Sequence, residues 1–368
     1  MTDRYSEIRA IAKQQSLDAI ALVPGANFTR LFNKDFHQNE RPLVVLIPVE
    51  GKPLAVVPNL ELGSFAQIGF EGEVFDWRDQ TGYQAAFDHM LQKLPIQSVG
   101  VEGQVMRVFV DQALRAANPE LVISDQQRAI ASLRLCKTPI EIEALKNAIR
   151  ISETALHETL AEVRIGMTET AIESILVQRL FANGAEAMSF SPIVAAGTNS
   201  AKPHASARDD YAIKAGDTLL IDFGGRYAGL CADITRTFFV DHCTDQHAAI
   251  YDTVLNANLA GIAASRAGAT AHDVDDATTR VLEQSAYVDR IRHKTGHGLG
   301  RDIHEDPYIM RGNKEALAAG MVFTIEPGLY DLDDMGVRIE DDVLITDAGC
   351  DILTSVDKTL TIVGQQRA

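Results

Sequence analysis

The most constraining feature of this sequence is an apolar hairpin that carries two aspartates. The stretch DTLLIDFGGRYAGLCADITRTFFV, residues 217–240, is typical of two strands joined by a turn, and each strand contains one carboxylate, Asp222 or Asp233. A turn centred on Tyr227 and Ala228 would place the aspartates opposite each other, with Cβ atoms roughly 5 Å apart. Like charges placed in this way destabilise a half-buried sheet. The arrangement therefore requires a compensating positive charge.

A second pair of acidic residues lies in the same kind of sequence near the end of the chain. MVFTIEPGLY and GVRIEDDVLIT predict two strands around the polar run DLDDMG, and a turn centred in that run places Glu326 opposite Glu340. Pro327 restricts Glu326 to extended geometry and removes one ladder donor. The neighbouring Asp341 and Asp342 are interpreted as ordinary carboxylates on a solvated face. A slip of one residue would reverse a strand's faces, but the repetition of the pattern favours a shared function.

Each acidic hairpin follows a pair of predicted helices, so the order helix, helix, hairpin occurs twice. The first helix opens with Thr138, Pro139 and Glu141, a capping box with proline at the first helical position. Apolar residues then recur at roughly the helical period. The sequence therefore predicts an α+β unit with an internal repeat over residues 129–368. Its four helices are expected near residues 138–163, 168–183, 245–267 and 270–287.

Residues 1–128 are predicted to form a separate α/β unit. Six apolar runs are strand-length and rich in β-branched residues: DAIALV, LVVLIP, PLAVVP, VFDW, SVGVE and LVIS. Helical patterns lie between them, for example at residues 104–117. This half has no glycine-rich phosphate loop and no cluster of metal-ligand residue types, and its histidines, His37 and His89, stand alone. No chemistry is assigned to it.

Composition limits the function classes. The net charge of −17 argues against nucleic acid and anionic membranes as partners. Residues 1–10 contain no apolar signal region, and no apolar run is long enough to span a bilayer. The four cysteines are scattered without CxxC spacing, which is typical of free thiols in a reducing compartment. We therefore expect a globular cytoplasmic protein.

Four carboxylates that face the interior as two pairs cannot all stay ionised without cations nearby. Two divalent metal ions would supply four positive charges against the four negative ones. Histidines extend this set: His297 lies between two glycines, His304 follows it, and His204 precedes the first hairpin. Mixed carboxylate and imidazole ligands suit manganese, cobalt, iron or zinc better than calcium. A paired-metal site of this type is typical of hydrolases.

The other histidines of this half are not assigned to the site, because a single histidine is more typical of a surface position than of a ligand. His293 is assigned neither to the site nor to the surface. Those interpreted as surface residues are His157, His242, His247 and His272.

The ordered set of candidate ligands resembles the five-ligand signature of the pita-bread metallopeptidases, which include methionine aminopeptidase, aminopeptidase P, prolidase and creatinase. The segments IDFGGRYAGLCADITRTF, GHGLGRDIHEDPYI, FTIEPGLY and GVRIEDDV are most similar to the proline-directed branch, prolidase and aminopeptidase P. The resemblance covers nearly all of residues 133–362. It implies a pita-bread (creatinase/aminopeptidase-like) domain with an internal pseudo-two-fold repeat, preceded by an N-terminal α/β domain. The five residues are Asp222, Asp233, His297, Glu326 and Glu340.

The resemblance also implies a role for each ligand. Asp222 would chelate one metal ion, while Asp233 and Glu340 would bridge two ions. His297 and Glu326 would complete the coordination. Glu326 is in addition the candidate for moving a proton. Manganese is the expected metal, with cobalt, zinc or iron as alternatives.

Around the ligands, the resemblance implies residues that contact the substrate. His204 is similar to a histidine near the scissile bond, and His304 is similar to one that hydrogen-bonds the substrate carbonyl. Arg338 is similar to an arginine that binds the substrate carboxylate or orders the site; its alternative is a salt bridge to a ligand carboxylate. Tyr227 and Thr235 match positions that line the same cleft.

The implied function is metal-dependent hydrolysis of Xaa-Pro bonds in short peptides. Xaa-Pro dipeptidase (prolidase) is the first expectation, and Xaa-Pro aminopeptidase (aminopeptidase P) is the alternative. Tyr308, counted among the substrate-binding residues, stands where some prolidases carry an arginine for the dipeptide's carboxylate, which weakens the dipeptidase assignment. A further alternative is a pita-bread protein that acts on a small amide or binds partners without peptidase activity. The family tends to dimerise, so the resemblance implies a homodimer.

Overall fold

The computed structural model describes residues 4–365. The chain divides into two compact units, Met1–Arg134 and Leu135–Ala368. Sequence patterning placed this boundary at residue 128; the segment that follows forms a short helix, and its Ile130 packs in a core of the first unit. Of the N-terminal stretch that lacks a signal pattern, residues 1–3 lie outside the described part. Within that part, no helix is both long enough and apolar enough to cross a membrane.

The first unit is a six-stranded mixed sheet with helices on both faces. Its elements are α1 (Ser6–Gln14), β1 (Ala19–Leu22), α2 (Ala26–Phe32), β2 (Val44–Pro48), β3 (Leu54–Pro58), α3 (Leu62–Ala66), β4 (Glu73–Trp77), α4 (Gln84–Lys93), β5 (Ser98–Val101), α5 (Val108–Ala117), β6 (Val122–Asp125) and α6 (Gln127–Ala131). The strand order is β4-β3-β2-β1-β5-β6, and each of the six predicted apolar runs forms one strand. Alternate residues of β1 face opposite layers: Ala21 packs in one core, and Ile20 and Leu22 pack in the other. The helix expected at residues 104–117 begins at Val108, because the backbone before it forms a separate turn.

The second unit contains the four expected helices and both acidic hairpins. Its elements are α7 (Pro139–Glu162), α8 (Glu169–Ala182), β7 (Ala187–Met188), β8 (Ile193–Ala196), β9 (Thr218–Phe223), β10 (Gly225–Tyr227), β11 (Leu230–Cys231), β12 (Ile234–Val240), α9 (Asp245–Ala264), α10 (Ala271–Glu283), β13 (Gly296–Gly298), β14 (Glu305–Ile309), β15 (Val322–Ile325), β16 (Gly328–Tyr330), β17 (Gly336–Arg338), β18 (Asp341–Thr346), β19 (Gly349–Ile352) and β20 (Ile362–Val363). Strands β20-β12-β9-β8 form one sheet, and β14-β13-β15-β18-β19 form another. Thr138 makes the predicted capping box with Glu141 at the start of α7.

The predicted repeat of helix, helix and hairpin is present in this unit. Helices α7 and α8 precede the first hairpin, and α9 and α10 precede the second. Thr168 caps α8 and forms an isolated bridge with Ala212, while Thr270 caps α10 and forms the corresponding bridge with Ala316. The two hairpins are therefore presented by equivalent scaffolds.

The first hairpin pairs in a register that differs from the prediction. Asp222 lies opposite Thr235, not opposite Asp233, and the same register continues through β10 and β11. The turn lies at Ala228 and Gly229, which both have positive φ, 49° and 76°. These are the angles of a two-residue hairpin turn, and glycine accepts the second position at little cost. The displacement is two residues, so the two aspartates still share one face of the sheet.

The second hairpin has the predicted register. Strand β15 pairs with β18, and β16 pairs with β17, in one common register that places Glu326 opposite Glu340. Both glutamates lie in the gap between the two short ladders. Pro327 also lies in this gap and has no N–H to continue the ladder. The interruption therefore coincides with the carboxylates.

Candidate metal and catalytic site

A cavity of about 580 Å³ in the second unit brings the predicted metal ligands together. All five line it, and so do His204, His304 and Arg338, which the sequence placed near the substrate. The remaining lining residues are Phe190, Ile193, Pro203, Arg292, His293, Lys294 and Ile303. The cavity therefore combines carboxylates, imidazoles, cations and an apolar surface.

His297 presents an unprotonated ring nitrogen to two of the carboxylates. Its Nδ1 lies 3.1 Å from the carbonyl oxygen of Gly298. Because a carbonyl only accepts, Nδ1 carries the proton and Nε2 has a free lone pair. Nε2 lies 3.3 Å from Glu326 Oε1 and 3.6 Å from Asp233 Oδ2. Burial, followed by the charge of His304, lowers the pKa of His297 to about 3, so this ring is neutral.

Asp233, His297 and Glu340 form a group that could hold one metal ion. One potential ligand atom from each lies within 4.8 Å of the others, and all three residues are buried. Burial, followed by repulsion from Glu340 and Asp222, raises the pKa of Asp233 well above its usual range. Burial, followed by repulsion from Glu326, does the same to the pKa of Glu340. Cations shared between these carboxylates would relieve this repulsion.

One carboxylate oxygen of Asp222 is paired with Arg338, and the other has no partner among the described residues. Arg338 Nη2 lies 2.5 Å from Asp222 Oδ2. In contrast, Oδ1 of Asp222 is buried and has no hydrogen-bond partner among the described residues. A buried carboxylate oxygen without a partner is costly, and a metal ion would satisfy it. Of the two alternatives for Arg338, the structure shows the salt bridge to a candidate ligand.

The other nitrogens of Arg338 are also occupied within the protein. Nε donates to Thr235 Oγ1 at 3.1 Å. Nη1 donates to the Tyr330 hydroxyl at 2.8 Å and to the Pro203 carbonyl oxygen at 3.4 Å. Thr235 in turn donates to Glu340 Oε2 at 2.6 Å. Arg338 thus orients carboxylates from both hairpins, one directly and one through Thr235.

The backbone at the two glutamates is bonded to residues outside their own hairpin. The N–H of Glu326 donates to the Thr295 carbonyl at 2.8 Å, and the N–H of Glu340 donates to the Thr235 carbonyl at 3.1 Å. Burial raises the pKa of Glu326 to about 7, with the charge of Arg338 opposing the rise. A carboxyl group with a pKa near neutrality can both release and accept a proton at physiological pH.

Asn258 of helix α9 bridges the gap in the second hairpin. Its side-chain amide donates to the carbonyl oxygens of Ile325 at 3.0 Å and Ile339 at 3.4 Å, the residues that precede the two glutamates. In the ladder, Ile339 N–H donates to the Pro327 carbonyl at 3.4 Å. Pro327 cannot return that bond, because it has no N–H. Asn258 supplies the missing donor.

Asp341 and Asp342 are fully buried, so the prediction of a solvated face is wrong. Asp341 Oδ1 lies 2.8 Å from Arg236, and its Oδ2 lies 2.8 Å from Lys358. Burial would raise the pKa of Asp341, but these two cations lower it overall. Asp342 accepts a hydrogen bond from the backbone N–H of Asp233 at 3.2 Å. The apolar and polar pattern around Asp341 could not predict its burial, because its partner Arg236 is distant in sequence.

His304 and His204 are exposed residues on the cavity wall. The ring centroids of His304 and His297 are 4.1 Å apart. Partial burial at the cavity wall, followed by the charge of Lys294, lowers the pKa of His304. The four histidines interpreted as surface residues do not line this cavity; they are His157, His242, His247 and His272.

Two residues expected to bind substrate lie outside the described cavity wall. Tyr227 is an exposed residue of β10, and Tyr308 belongs to β14. The Lys294 ammonium, which does line the cavity, lies 5.5 Å from the ring centroid of Tyr308. Thr235 is fully buried and contacts the site through Arg338 and Glu340.

The sequence did not indicate a role for Tyr330 and did not assign His293 to the site. His293 Nδ1 lies 2.8 Å from the Lys294 carbonyl and carries the proton, so Nε2 accepts from the Tyr330 hydroxyl at 2.7 Å. Tyr330 lies four residues after Glu326 in an extended segment, and side chains an even number of residues apart share a face. That period could have revealed Tyr330. No local signal identifies Asn258.

The residues of this site fit divalent metal ions. They supply four carboxylates and one neutral imidazole, including the unpartnered oxygen of Asp222 and the lone pair of His297. Such a mixed oxygen and nitrogen donor set is typical of manganese, iron, cobalt and zinc sites.

Comparison with known proteins matches almost the whole chain. Residues 143–347 match the sequence profile of Metallopeptidase family M24, and residues 4–136 match the Creatinase/Prolidase N-terminal domain, which confirms the predicted fold class. The Xaa-Pro dipeptidase of Pyrococcus furiosus is 34% identical over 275 residues, 74% of this chain and 78% of the relative. The solved structure of a prolidase from Thermococcus sibiricus is 30% identical, has a TM-score of 0.92 and covers 99% of this chain and 100% of its own. An X-Pro aminopeptidase structure from Thermotoga maritima is 29% identical with a TM-score of 0.84, covering 99% of this chain and 100% of its own.

Proposed function

The chain belongs to metallopeptidase family M24 and is a metal-dependent peptidase, and we propose that it hydrolyses Xaa-Pro bonds in short peptides, with Xaa-Pro dipeptides as its substrates. The observation that carries this proposal is the group of four carboxylates and one neutral imidazole that lines a single cavity. Its similarity to a dipeptidase sequence and a prolidase structure supports the choice of substrate.

We assign two divalent metal ions to this group, with manganese as the preferred ion. Asp222 would hold an ion through its open Oδ1, and Asp233 and Glu340 would supply further carboxylate ligands. His297 and Glu326 complete the set. Bound divalent ions polarise a carbonyl oxygen and lower the pKa of water to near neutrality, which is the chemistry that amide hydrolysis needs.

Three side chains act on the substrate in this proposal. Glu326 moves the proton from the attacking water to the leaving nitrogen, because its carboxylate lines the cavity beside His297 and can both accept and release a proton. His304 donates a hydrogen bond to the substrate carbonyl as negative charge develops there, and its exposed ring beside His297 faces the cavity. His204 contacts the substrate near the scissile bond from the loop after β8.

The apolar part of the cavity supports proline as a substrate residue. Phe190, Ile193, Pro203 and Ile303 line the same cavity as the carboxylates. A pyrrolidine ring has no N–H once it is in a peptide bond and presents only methylene groups, so an apolar wall can accept it without leaving a polar group unpaired.

Xaa-Pro aminopeptidase is the second candidate. The Thermotoga maritima neighbour supports it, and so does Tyr308, which offers no positive charge for a dipeptide's carboxylate. The complete acidic set argues against the third candidate, a protein of this fold without peptidase activity.

The experiment is a substrate screen of metal-free protein reconstituted with manganese, cobalt, zinc or iron. We expect hydrolysis of Gly-Pro and other Xaa-Pro dipeptides, slower hydrolysis of Xaa-Pro tripeptides, and loss of both on chelation. Faster cleavage of tripeptides would establish the aminopeptidase instead. Turnover of creatine or another small amide, with no cleavage of any Xaa-Pro peptide, would refute the proposal.

A further inference from the structure

We propose that Lys294 binds the free C-terminal carboxylate of the substrate, so that this lysine selects dipeptides over longer peptides at the site. The proposal rests on the proposed function, since it concerns the substrate of that same cavity.

Lys294 is a cation of the cavity that forms no salt bridge within residues 4–365. It is an exposed residue that lines the cavity, three residues before His297. Its ammonium lies 5.5 Å from the ring centroid of Tyr308, a weak contact for an exposed lysine. Within residues 4–365 it forms no ion pair with a carboxylate. Its charge is therefore available to a ligand.

The other two cations of the cavity are bonded within the protein, Arg338 through its whole guanidinium and Arg292 through one nitrogen. Arg338 is buried, and its guanidinium is bonded to Asp222, Thr235, Tyr330 and a backbone carbonyl. Arg292 turns its guanidinium back to its own loop, where Nη1 donates to the carbonyl of Asp289 and, at 3.1 Å, to that of Ile291. A substrate carboxylate that approached Arg338 would have to displace a candidate metal ligand. Lys294 can accept a carboxylate without breaking any ion pair.

The length of the substrate decides whether its C-terminal carboxylate can reach Lys294. Lys294 lines the same cavity as His304, the residue assigned to the substrate carbonyl. In an Xaa-Pro dipeptide, only the proline residue separates the scissile carbonyl from the terminal carboxylate. In a tripeptide, a further residue of roughly 3.5 Å moves that carboxylate away. An ammonium at this place in the cavity would therefore discriminate by chain length.

The test compares a dipeptide with its own C-terminal amide. The manganese-loaded full-length protein and its Lys294→Met variant would be assayed on Gly-Pro and Gly-Pro-amide. We expect the substitution to lower kcat/KM for Gly-Pro by about 10- to 100-fold, the range for a hydrogen bond to a charged group, and to leave the amide within about threefold. Inhibition by free proline should weaken in parallel, while inhibition by prolinamide should not change.

Two further variants separate charge from structure. Lys294→Arg keeps the positive charge and should retain most of the discrimination between acid and amide. Lys314→Met, at an exposed lysine that does not line the cavity, should resemble the wild type on both substrates. Metal content and Tm of all variants should match, because Lys294 is exposed.

Equal losses on Gly-Pro and its amide would overturn the role of Lys294, and so would no loss on either. Both results leave the proposed peptidase activity intact, because the wild type still cleaves the dipeptide. A wild-type protein that cleaves no Xaa-Pro peptide would instead refute the proposed function, and this inference with it.

Discussion

The two acidic hairpins interrupt their ladders by different means at the positions of the carboxylates. In the first hairpin, the strands come unusually close at Gly224, where a Cβ atom would lie 1.7 Å from the carbonyl oxygen of Ala232. The register places Gly224 opposite Asp233. In the second hairpin, Pro327 removes a donor and opens a gap that Asn258 fills. The first hairpin thus combines the missing side chain of Gly224 with a bond from the Gly225 N–H to Ser152 Oγ of α7 at 2.8 Å, and the second relies on the amide of Asn258.

A network of charged and polar side chains lies behind the second hairpin. Behind the second hairpin, Lys358 donates to Asn258 Oδ1 at 3.1 Å and to Asp341 at 2.8 Å. Arg236, which belongs to the first hairpin, completes this chain by donating to Asp341 and to the backbone carbonyl of Glu340. Charged networks of this kind are expensive to bury and costly to break. The comparison indicates that each hairpin is joined to a helix by a buried side chain, Ser152 or Asn258, and that the second is also held by this charged network.

The largest expected effect comes from Asp233→Asn in the first hairpin. The amide lacks the negative charge, so tight binding of at least one metal ion should be lost, with affinity reduced by more than about 100-fold and turnover near background. Elemental analysis and activity on one preparation provide the measurement. Asp241→Asn, at the exposed end of β12, is the matched control, because asparagine tolerates its positive φ of 66°. Two retained ions with wild-type turnover would show that Asp233 is not a shared ligand.

Arg236→Met tests the link between the hairpins. The substitution leaves Asp341 buried with one cation and removes donors from several carbonyls, so the free energy of unfolding should fall by about 3–5 kcal/mol. Arg280→Met, at an exposed ion pair on α10, should change it by less than about 0.5 kcal/mol. Denaturant unfolding of both variants gives the comparison. A loss no larger than that of the control would mean that the buried pair contributes no net stability.

Asn258→Leu tests whether the second hairpin depends on its added side chain. The carbonyls of Ile325 and Ile339 would lose a donor, so we expect a loss of about 1–3 kcal/mol in stability and roughly tenfold weaker metal binding. The control is Asn256→Leu, an exposed position two residues earlier on the same helix. If Asn258→Leu weakens metal binding and Asn256→Leu does not, the loss comes from the missing hydrogen bonds to Ile325 and Ile339. Unchanged metal affinity would limit Asn258 to stabilising the fold.

The difference between the hairpins also explains what the sequence could predict. Both strand pairs and the inward carboxylates follow from period-two alternation, and the second register follows from its long polar turn. The first register differs by two residues from the predicted one, because Ala228 and Gly229 adopt the positive φ of a two-residue turn and apolar alternation does not fix where such a turn lies. The burial of Asp341 was not predictable, because Arg236 is 105 residues away and their pairing appears only in the folded chain. The role of Asn258 could not be predicted either. Nothing in the sequence of its helix indicates that this side chain donates to backbone carbonyls of a hairpin far along the chain.

The smallest expected effect comes from the turn that sets the first register. Ala228 has a φ of 49°, a left-handed conformation that costs an alanine roughly 1 kcal/mol. Ala228→Gly removes that strain but adds conformational freedom to the unfolded chain, so we expect a net stabilisation of about 0.5 kcal/mol. Gly229→Ala should do the opposite and lower stability by about 1 kcal/mol, because its φ is 76° and a Cβ atom there would approach Arg301 Nη1 to 3.1 Å. Thermal unfolding of the two variants side by side measures both signs. If Ala228→Gly destabilised the protein, the left-handed conformation of Ala228 would not be a source of strain in this turn.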